Sequence, residues 1–225
     1  MCMSTRLELI IFDCDGVVVD SEVLACRCLA DALTDFGVPV TLDVVIERFL
    51  GRSFGVVESY YEKVRGGPLP DALRVDYEHR LLEIFRGSLL PIPAIKSVLT
   101  QLTIPFCLAS SSNDRRIEAT LAVTGLDRFF AGRVFNAAMV KNGKPAPDMF
   151  LLAADTCHAD PGRTLVVEDT SPGIIAAKAA GMEVWGFVGG SHFANDRVRQ
   201  ALVDAGPDRT FASMTELLPM IEHRQ

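Results

Sequence analysis

Short apolar runs that end in polar or small residues recur along this chain, and they constrain its fold more than any other feature. Four are strong: "LELIIF" (7–12), "PFCLAS" (105–110), "TLVVED" (164–169) and "VWGFVG" (184–189). Two weaker ones, "RVF" and "TFA", lie at 133–135 and 210–212. Their apolar residues are consecutive rather than alternating, which suits strands buried on both faces, as in a parallel sheet. Helical patterns fill the gaps. "DRRIEATLAVTG" closes on Gly125, and "SPGIIAAKAAG" places Pro172 in its first turn and Gly181 at a left-handed exit. "APDMFLLAADTC" and "ANDRVRQALVDAG" read the same way. Strands alternating with helices imply right-handed βαβ units, hence an α/β fold with a doubly wound parallel sheet.

One stretch breaks the alternation. Residues 21–86 read as helices only: "EVLACRCLADALTDFG", "LDVVIERFLG", "FGVVESYYEKVRGG" and "DALRVDYEHRLLEIFRG". Gly37, Gly51, the Gly66-Gly67-Pro68 group and Gly87 punctuate them. The expected organisation is an α/β core of residues 1–18 and 87–225, with a helical domain, 19–86, inserted after the first strand. Ligands of open α/β sheets bind outside the carboxyl ends of the strands. A domain inserted there would stand over the ligand as a lid.

Composition narrows the partners. The chain has 225 residues and a formal net charge of −7. An acidic balance argues against a nucleic-acid-coating surface, which needs clustered Lys and Arg, while still allowing anion binding where a few cations converge. The six cysteines (Cys2, Cys14, Cys26, Cys28, Cys107 and Cys157) form no CxxC pair. Zinc and disulfides are therefore not expected, and free thiols suit a reducing cytoplasm. The start, "MCMSTRLELIIF", lacks the long apolar segment of a secretory leader. No run approaches the ~18 apolar residues of a membrane span.

The chemistry gathers at the strand ends. Asp13 and Asp15 lie two positions apart after the first run, and such close like charges would leave one protonated unless a cation intervened. Ser110-Ser111-Ser112-Asn113 follows the second run, Glu168-Asp169 ends the third, and Lys144, in "NGKPAPD", follows the weak run at 133–135. A parallel sheet would bring these ends together. Asp13, Asp15, Glu168 and Asp169 supply hard oxygen ligands which, with waters and a phosphate oxygen, suit octahedral Mg²⁺. That ion would keep the cluster ionised. Lys144 offers a point charge for a phosphate or a nucleophilic carboxylate. Ser110 offers a hydroxyl, and the serine-rich turn into the next helix offers backbone N–H groups for an anion; Ser111 belongs to that substrate-side turn, whereas Ser112 reads as a turn residue and Asn113 as a helix cap. An EF-hand loop fails, because oxygen ligands would be wanted at Val17 and Leu24.

These residues carry a resemblance. "DCDGV" (13–17), "LASSS" (108–112), "GKPAPD" (143–148) and "VVEDTSPGIIAAKAAG" (166–181) resemble the four motifs of the haloacid dehalogenase superfamily of phosphohydrolases, in the branch with a helical cap after the first motif. The resemblance implies Asp13 as a nucleophile forming an aspartyl phosphate and Asp15 as the acid, then base, of the two half-reactions. It implies Ser110 and Lys144 as phosphate-binding residues. Asp13, Asp169 and Glu168 (directly or through water) would serve Mg²⁺, with Asp15 through its backbone carbonyl.

Within that superfamily several activities share the scaffold. A dehalogenase proper would lack Asp15, and a phosphonate hydrolase would carry a lysine in the first cap helix, where residues 21–36 have none. A β-phosphoglucomutase would place its catalytic His at Ala25 and its phosphate-gripping Lys and Arg at Leu50 and Phe54. Arg52 is the cation left in that turn, either a substrate contact or a helix-entrance residue. Glu22 either hydrogen-bonds substrate hydroxyls or serves as a first-turn charge. The expected protein is a monomeric, Mg²⁺-dependent phosphatase of a small phosphorylated sugar, sugar acid or polyol, with the mutase as alternative. A receiver-type phosphoacceptor, or a binding protein without turnover, is the alternative from another class, although a receiver needs no helical insertion. Outside the motifs, His79, His158, His192 and His223 read as surface residues, although "GGSHF" (189–193) lies on the active-site edge. Arg115 and Arg116 read as a solvated helix face, and Trp185 as core.

Overall fold

A computed structural model describes residues 6–224. Cys2 and most of the leader reading thus lie outside the described residues. The core strands are β1 (Leu9–Phe12), β2 (Phe106–Ser110), β3 (Val134–Asn136), β4 (Thr164–Glu168), β5 (Glu183–Phe187) and β6 (Arg209–Phe211). They form one sheet in the order β3-β2-β1-β4-β5-β6, and every neighbouring pair is parallel. The core helices are α5 (Ile95–Gln101), α6 (Asp114–Thr124), α7 (Asp127–Phe130), α8 (Asp148–Thr156), α9 (Ser171–Ala179), α10 (Asp196–Asp204) and α11 (Leu217–Glu222).

β1 lies in the middle, with Ile11 opposite Cys107 of β2 on one side and Val166 of β4 on the other. All four of its residues are buried. Successive side chains enter opposite faces, as the strand period requires. Ile10 and Phe12 join Ile95, Ile117 and Leu217 of α5, α6 and α11. Leu9 and Ile11 join Phe150, Ile174 and Leu202 of α8, α9 and α10. A strand buried on both faces has no polar position to spare, which is why its sequence is a run and not an alternation. The chain steps from β1 outward through β2 and β3, then returns to the other side of β1 with β4. The sheet's switch point, where ligands bind in such folds, is therefore between β1 and β4.

The insertion contains α1 (Glu22–Asp35), α2 (Leu42–Phe49), α3 (Phe54–Arg65) and α4 (Asp71–Ser88). Leu29, Leu33, Leu81 and Phe85 of α1 and α4 bury into the same apolar cluster as one face of the sheet. Each such side chain contributes about 1.5–3 kcal/mol by leaving water. Gly87, expected to end the last helix, lies inside α4; burial of Phe85 and Leu89 around it carries the helix to Ser88. The two chain crossings run side by side, with Asp20 N–H donating to Leu90 O and Ile92 N–H to Val18 O, both at 3.0 Å. Trp185 is fully buried, as expected of core. His79, His158 and His223 are exposed. His192 is not: it is 1% exposed, because the 3-10 turn 191–194 after β5 folds inward over the end of the sheet. No helix among the described residues is long and apolar enough to cross a membrane.

Candidate active site

Asp13 follows β1 directly, its N–H bonded to Val167 O of β4 at 2.9 Å. The chain then turns sharply at Gly16, where φ is +80° and an added Cβ would sit 1.8 Å from Asp169 Oδ2. Only glycine meets both demands. The turn thus brings the β1 loop onto the β4 loop.

Lys144 joins the two. Its ammonium pairs with Asp13 Oδ1, lies 2.7 Å from Glu168 Oε1, and donates to Ala109 O at 3.1 Å. Its side chain is 4% exposed. Burial alone would lower its pKa, but Asp13 and Glu168 push it up, so the lysine stays charged. The Glu168 carboxylate is fully engaged: besides Lys144, its Oε2 accepts from Asp169 N, Thr170 N and Thr170 Oγ1 at 2.8–2.9 Å. It is seated against Gly173, where a Cβ would overlap Oε1. As found, Glu168 orients Lys144 and its own loop.

Asp15 occupies a separate pocket of donors. Ser21 Oγ and Arg116 Nη2 reach Oδ1 at 2.6 and 2.7 Å, and Ser112 Oγ reaches Oδ2 at 2.8 Å. Burial would raise the pKa of Asp15, but the guanidinium and these hydrogen bonds hold it below its ordinary value. Ser110 is buried, and its Oγ accepts from Ser112 N at 3.1 Å. Ser111 is exposed and lines the cavity above. Asn113 caps α6, accepting from Arg116 N at 2.9 Å, as expected.

Two expectations are corrected here. Arg116 belongs to no solvated face: it ion-pairs with Asp15 and lies 5.5 Å from the Phe85 ring of α4. Ser112 is more than a turn former, since it donates to Asp15. The signal for Arg116 was positional. Side chains in a helix's first turn tilt back toward its N-terminus, and α6 starts at a strand end beside the acids. Arg115, by contrast, is exposed.

A cavity of about 330 Å³ opens over Asp13, Asp15 and Lys144. Its roof includes Phe49, Leu50, Phe54, Tyr77 and Leu81 from the insertion, with Arg52 and Arg74 also lining it. Glu22, 8% exposed, also lines it. Burial, then the Asp15 and Asp169 charges, raise its pKa to about 7. The volume suits a small molecule.

The floor is short of positive charge. Burial and the carboxylates of Glu168, Asp169 and Asp15 push the Asp13 pKa up against the opposing pull of Lys144, and burial and Glu168 raise that of Asp169. Both Asp169 oxygens are buried without a hydrogen-bond partner. Among the described residues no three His, Cys, Asp or Glu side chains close into a metal cage. Mg²⁺ needs none, because it binds through one or two carboxylates and keeps several waters. The orphaned Asp169 carboxylate beside Asp13 fits that ion.

The chain is similar to known proteins along most of its length. Residues 7–181 match the haloacid dehalogenase-like hydrolase family. A 6-phosphogluconate phosphatase of Escherichia coli (strain K12) is 26% identical over 84% of this chain and 86% of its own. A phosphorylated carbohydrates phosphatase of Thermotoga maritima is 32% identical over 89% and 92%. The structure of a haloacid dehalogenase-like protein of Agrobacterium tumefaciens str. C58 superposes with a TM-score of 0.84 at 35% identity, over 96% of this chain and 98% of that one. The chain belongs to the haloacid dehalogenase-like hydrolases, as a phosphoric monoester hydrolase of that family.

Proposed function

We propose that the protein is an Mg²⁺-dependent phosphatase of small phosphorylated carbohydrates — sugar, sugar-acid or polyol monophosphates — working through an aspartyl phosphate on Asp13. The observation that carries this reading is Lys144 bridging Asp13 and Glu168 at the floor of a roofed cavity, with the Asp15 carboxylate opening into the same space. The unpaired cysteines among the described residues favour a reducing compartment such as the cytoplasm.

The chain's own residues then divide the reaction. An Asp13 oxygen attacks phosphorus; the bond to the ester oxygen breaks, and that oxygen takes a proton from Asp15. In the second half Asp15, now a base, takes a proton from water. The water oxygen attacks phosphorus, the Asp13–phosphorus bond breaks, and inorganic phosphate leaves. Lys144 and Ser110 seat the phosphoryl oxygens, and Lys144 holds Asp13 in line. Mg²⁺, held by Asp13, Asp169 and the Asp15 carbonyl, would neutralise the phosphoryl group. Asp15 as found is ionised, the form the second half needs. To carry a proton in the first half it must be released by Arg116, which the entering substrate can engage instead.

Residues 19–86 act as a cap that closes the cavity, and Glu22 reaches substrate hydroxyls from its first helix. The mutase reading finds no support in that roof. Ala25, Leu50 and Phe54 line it where a catalytic histidine and two phosphate-gripping cations would stand. Arg52, exposed at the rim, is the cation nearest that role.

The test is phosphate release across a panel of phosphorylated metabolites with and without Mg²⁺, beside Asp13→Asn. Sugar or polyol phosphates should stand out, and the variant should lose at least about 10⁴-fold in turnover. A single stoichiometric phosphorylation would instead make it a phosphoacceptor. Primed conversion of β-glucose 1-phosphate to the 6-phosphate would make it a mutase.

A further inference from the structure

His192 has no place in the reaction just described, yet it is buried against the floor of the site, beside Asp169. Its Nδ1 and Nε2 are both buried without a hydrogen-bond partner. The Asp169 carboxylate beside it is in the same condition, and Nε2 lies 3.1 Å from Asp169 Oδ2. Two loops are cleared to allow this approach. A Cβ on Gly190 would lie 2.5 Å from His192 Cε1. One on Gly16 would lie 2.9 Å from that atom as well as 1.8 Å from Asp169 Oδ2. The Phe193 ring packs 4.2 Å from the imidazole and fixes its plane from the next position. Buried polar groups in native proteins are paired. Here a donor and an acceptor without partners meet, and a small turn of either aligns an N–H on a carboxylate lone pair.

We propose that His192 is a positioning residue for the metal site: its Nε2–H donates to Asp169 Oδ2 and leaves Oδ1 for the cation. This rests on the reading of Asp13 and Asp169 as Mg²⁺ ligands. A ligating carboxylate is itself held by an outer hydrogen bond in metal sites generally, and loss of such a partner weakens metal binding by about 10–100-fold.

Calorimetric titration of MgCl₂ into the chelator-stripped protein tests it, with no substrate and no activity readout. Wild type, His192→Phe, His192→Gln and Asp169→Asn are compared. Phe keeps a flat ring without a donor, and Gln restores an N–H. The expected result is a Kd weakened about 10–100-fold in the Phe variant and largely recovered in the Gln variant. Phe binding as tightly as wild type, or Gln losing as much as Phe, overturns the assignment to His192 while leaving the metal site intact. Absence of binding by wild type, or Asp169→Asn binding normally, overturns the metal reading and this inference with it. Should the Phe variant not fold, the wild-type imidazole decides by nitrogen-15 NMR. A neutral ring protonated on Nε2, with resonances that move on adding Mg²⁺, supports the proposal; a ring protonated on Nδ1 alone overturns it.

Discussion

The ion pairs of Lys144 beneath the cavity are almost dry, and those within the helical insertion above it face water. The side chains of Lys144 and Glu168 are 4% and 0% exposed, whereas Arg74 and Glu58 are 43% each. In the floor Lys144 ties together groups from the ends of three strands, Asp13, Ala109 and Glu168. In the roof Arg74–Glu58 and Arg80–Asp35 join neighbouring helices, while Arg80–Asp76 and Arg86–Glu83 lie within α4. The residues over the substrate space are mainly aromatic and aliphatic. The contrast separates two tasks. A fixed arrangement of buried charge serves one reaction, and a largely apolar roof with two cations, Arg52 and Arg74, can be altered without disturbing it. Exposed pairs contribute little to stability, but breaking a buried one leaves a charge unpaired and costs much more.

The sharpest way to break this contrast is Lys144→Met. Asp13 and Glu168 would then share a buried floor with no counter-charge. We expect a loss of about 3–5 kcal/mol at neutral pH, read from urea unfolding of the chelator-stripped protein. Arg74→Met in the roof, measured the same way, should lose far less. Equal losses would mean that floor and roof do not differ in kind.

Next in size is Arg116, which ties one region to the other: it starts from core helix α6, grips Asp15 and lies against Phe85 of α4. If it positions the proton donor, Arg116→Met should depend on the leaving group. An alkyl phosphate, whose alkoxide needs a proton, should lose about 10²-fold or more in kcat. An activated aryl phosphate, whose phenolate leaves unaided, should lose much less. Equal losses on the two substrates would make Arg116 a packing residue only.

How much of this was readable from the sequence follows the same division. The strands of the core announce themselves because double burial writes a continuous apolar run. Asp13 and Asp169 stand at run ends, and Lys144 stands in the loop between β3 and α8, where topology gathers them. The four insertion helices were legible from the sequence, three of them with glycine near the exit, whereas Gly87 falls inside α4. Arg116 and His192 were not, for a shared reason. Their side chains are polar, so sequence pattern assigns them to solvent, and their burial arises only when a second loop folds over them. His192 needs Gly16 and Gly190 to make room, and neither glycine signals a partner in sequence. Glu168 illustrates the converse: its place after β4 was plain, but nothing local foretold that Lys144 and Thr170 would use its carboxylate.

Glu22 sharpens the comparison most finely, because it belongs to the first roof helix yet is buried like a floor residue. Burial and the charges of Asp15 and Asp169 raise its pKa from 4.5 to about 7. Between those values the folded protein holds a proton that the unfolded chain has released. Stability therefore falls as pH rises through that window, with a slope approaching about 1.4 kcal/mol per pH unit for one proton. Below about 4.5 both states are protonated and this contribution is constant. Above about 7 both are ionised, and the full penalty of the buried charge is felt. Glu22→Gln removes the titration, so the metal-free variant should show a flatter stability profile from pH 5 to 7 and should equal or exceed wild type at pH 8. Urea midpoints across that range decide it. An unchanged slope would mean that Glu22 is solvated like the other roof charges, and that the boundary between the two regions lies below α1 and not within it.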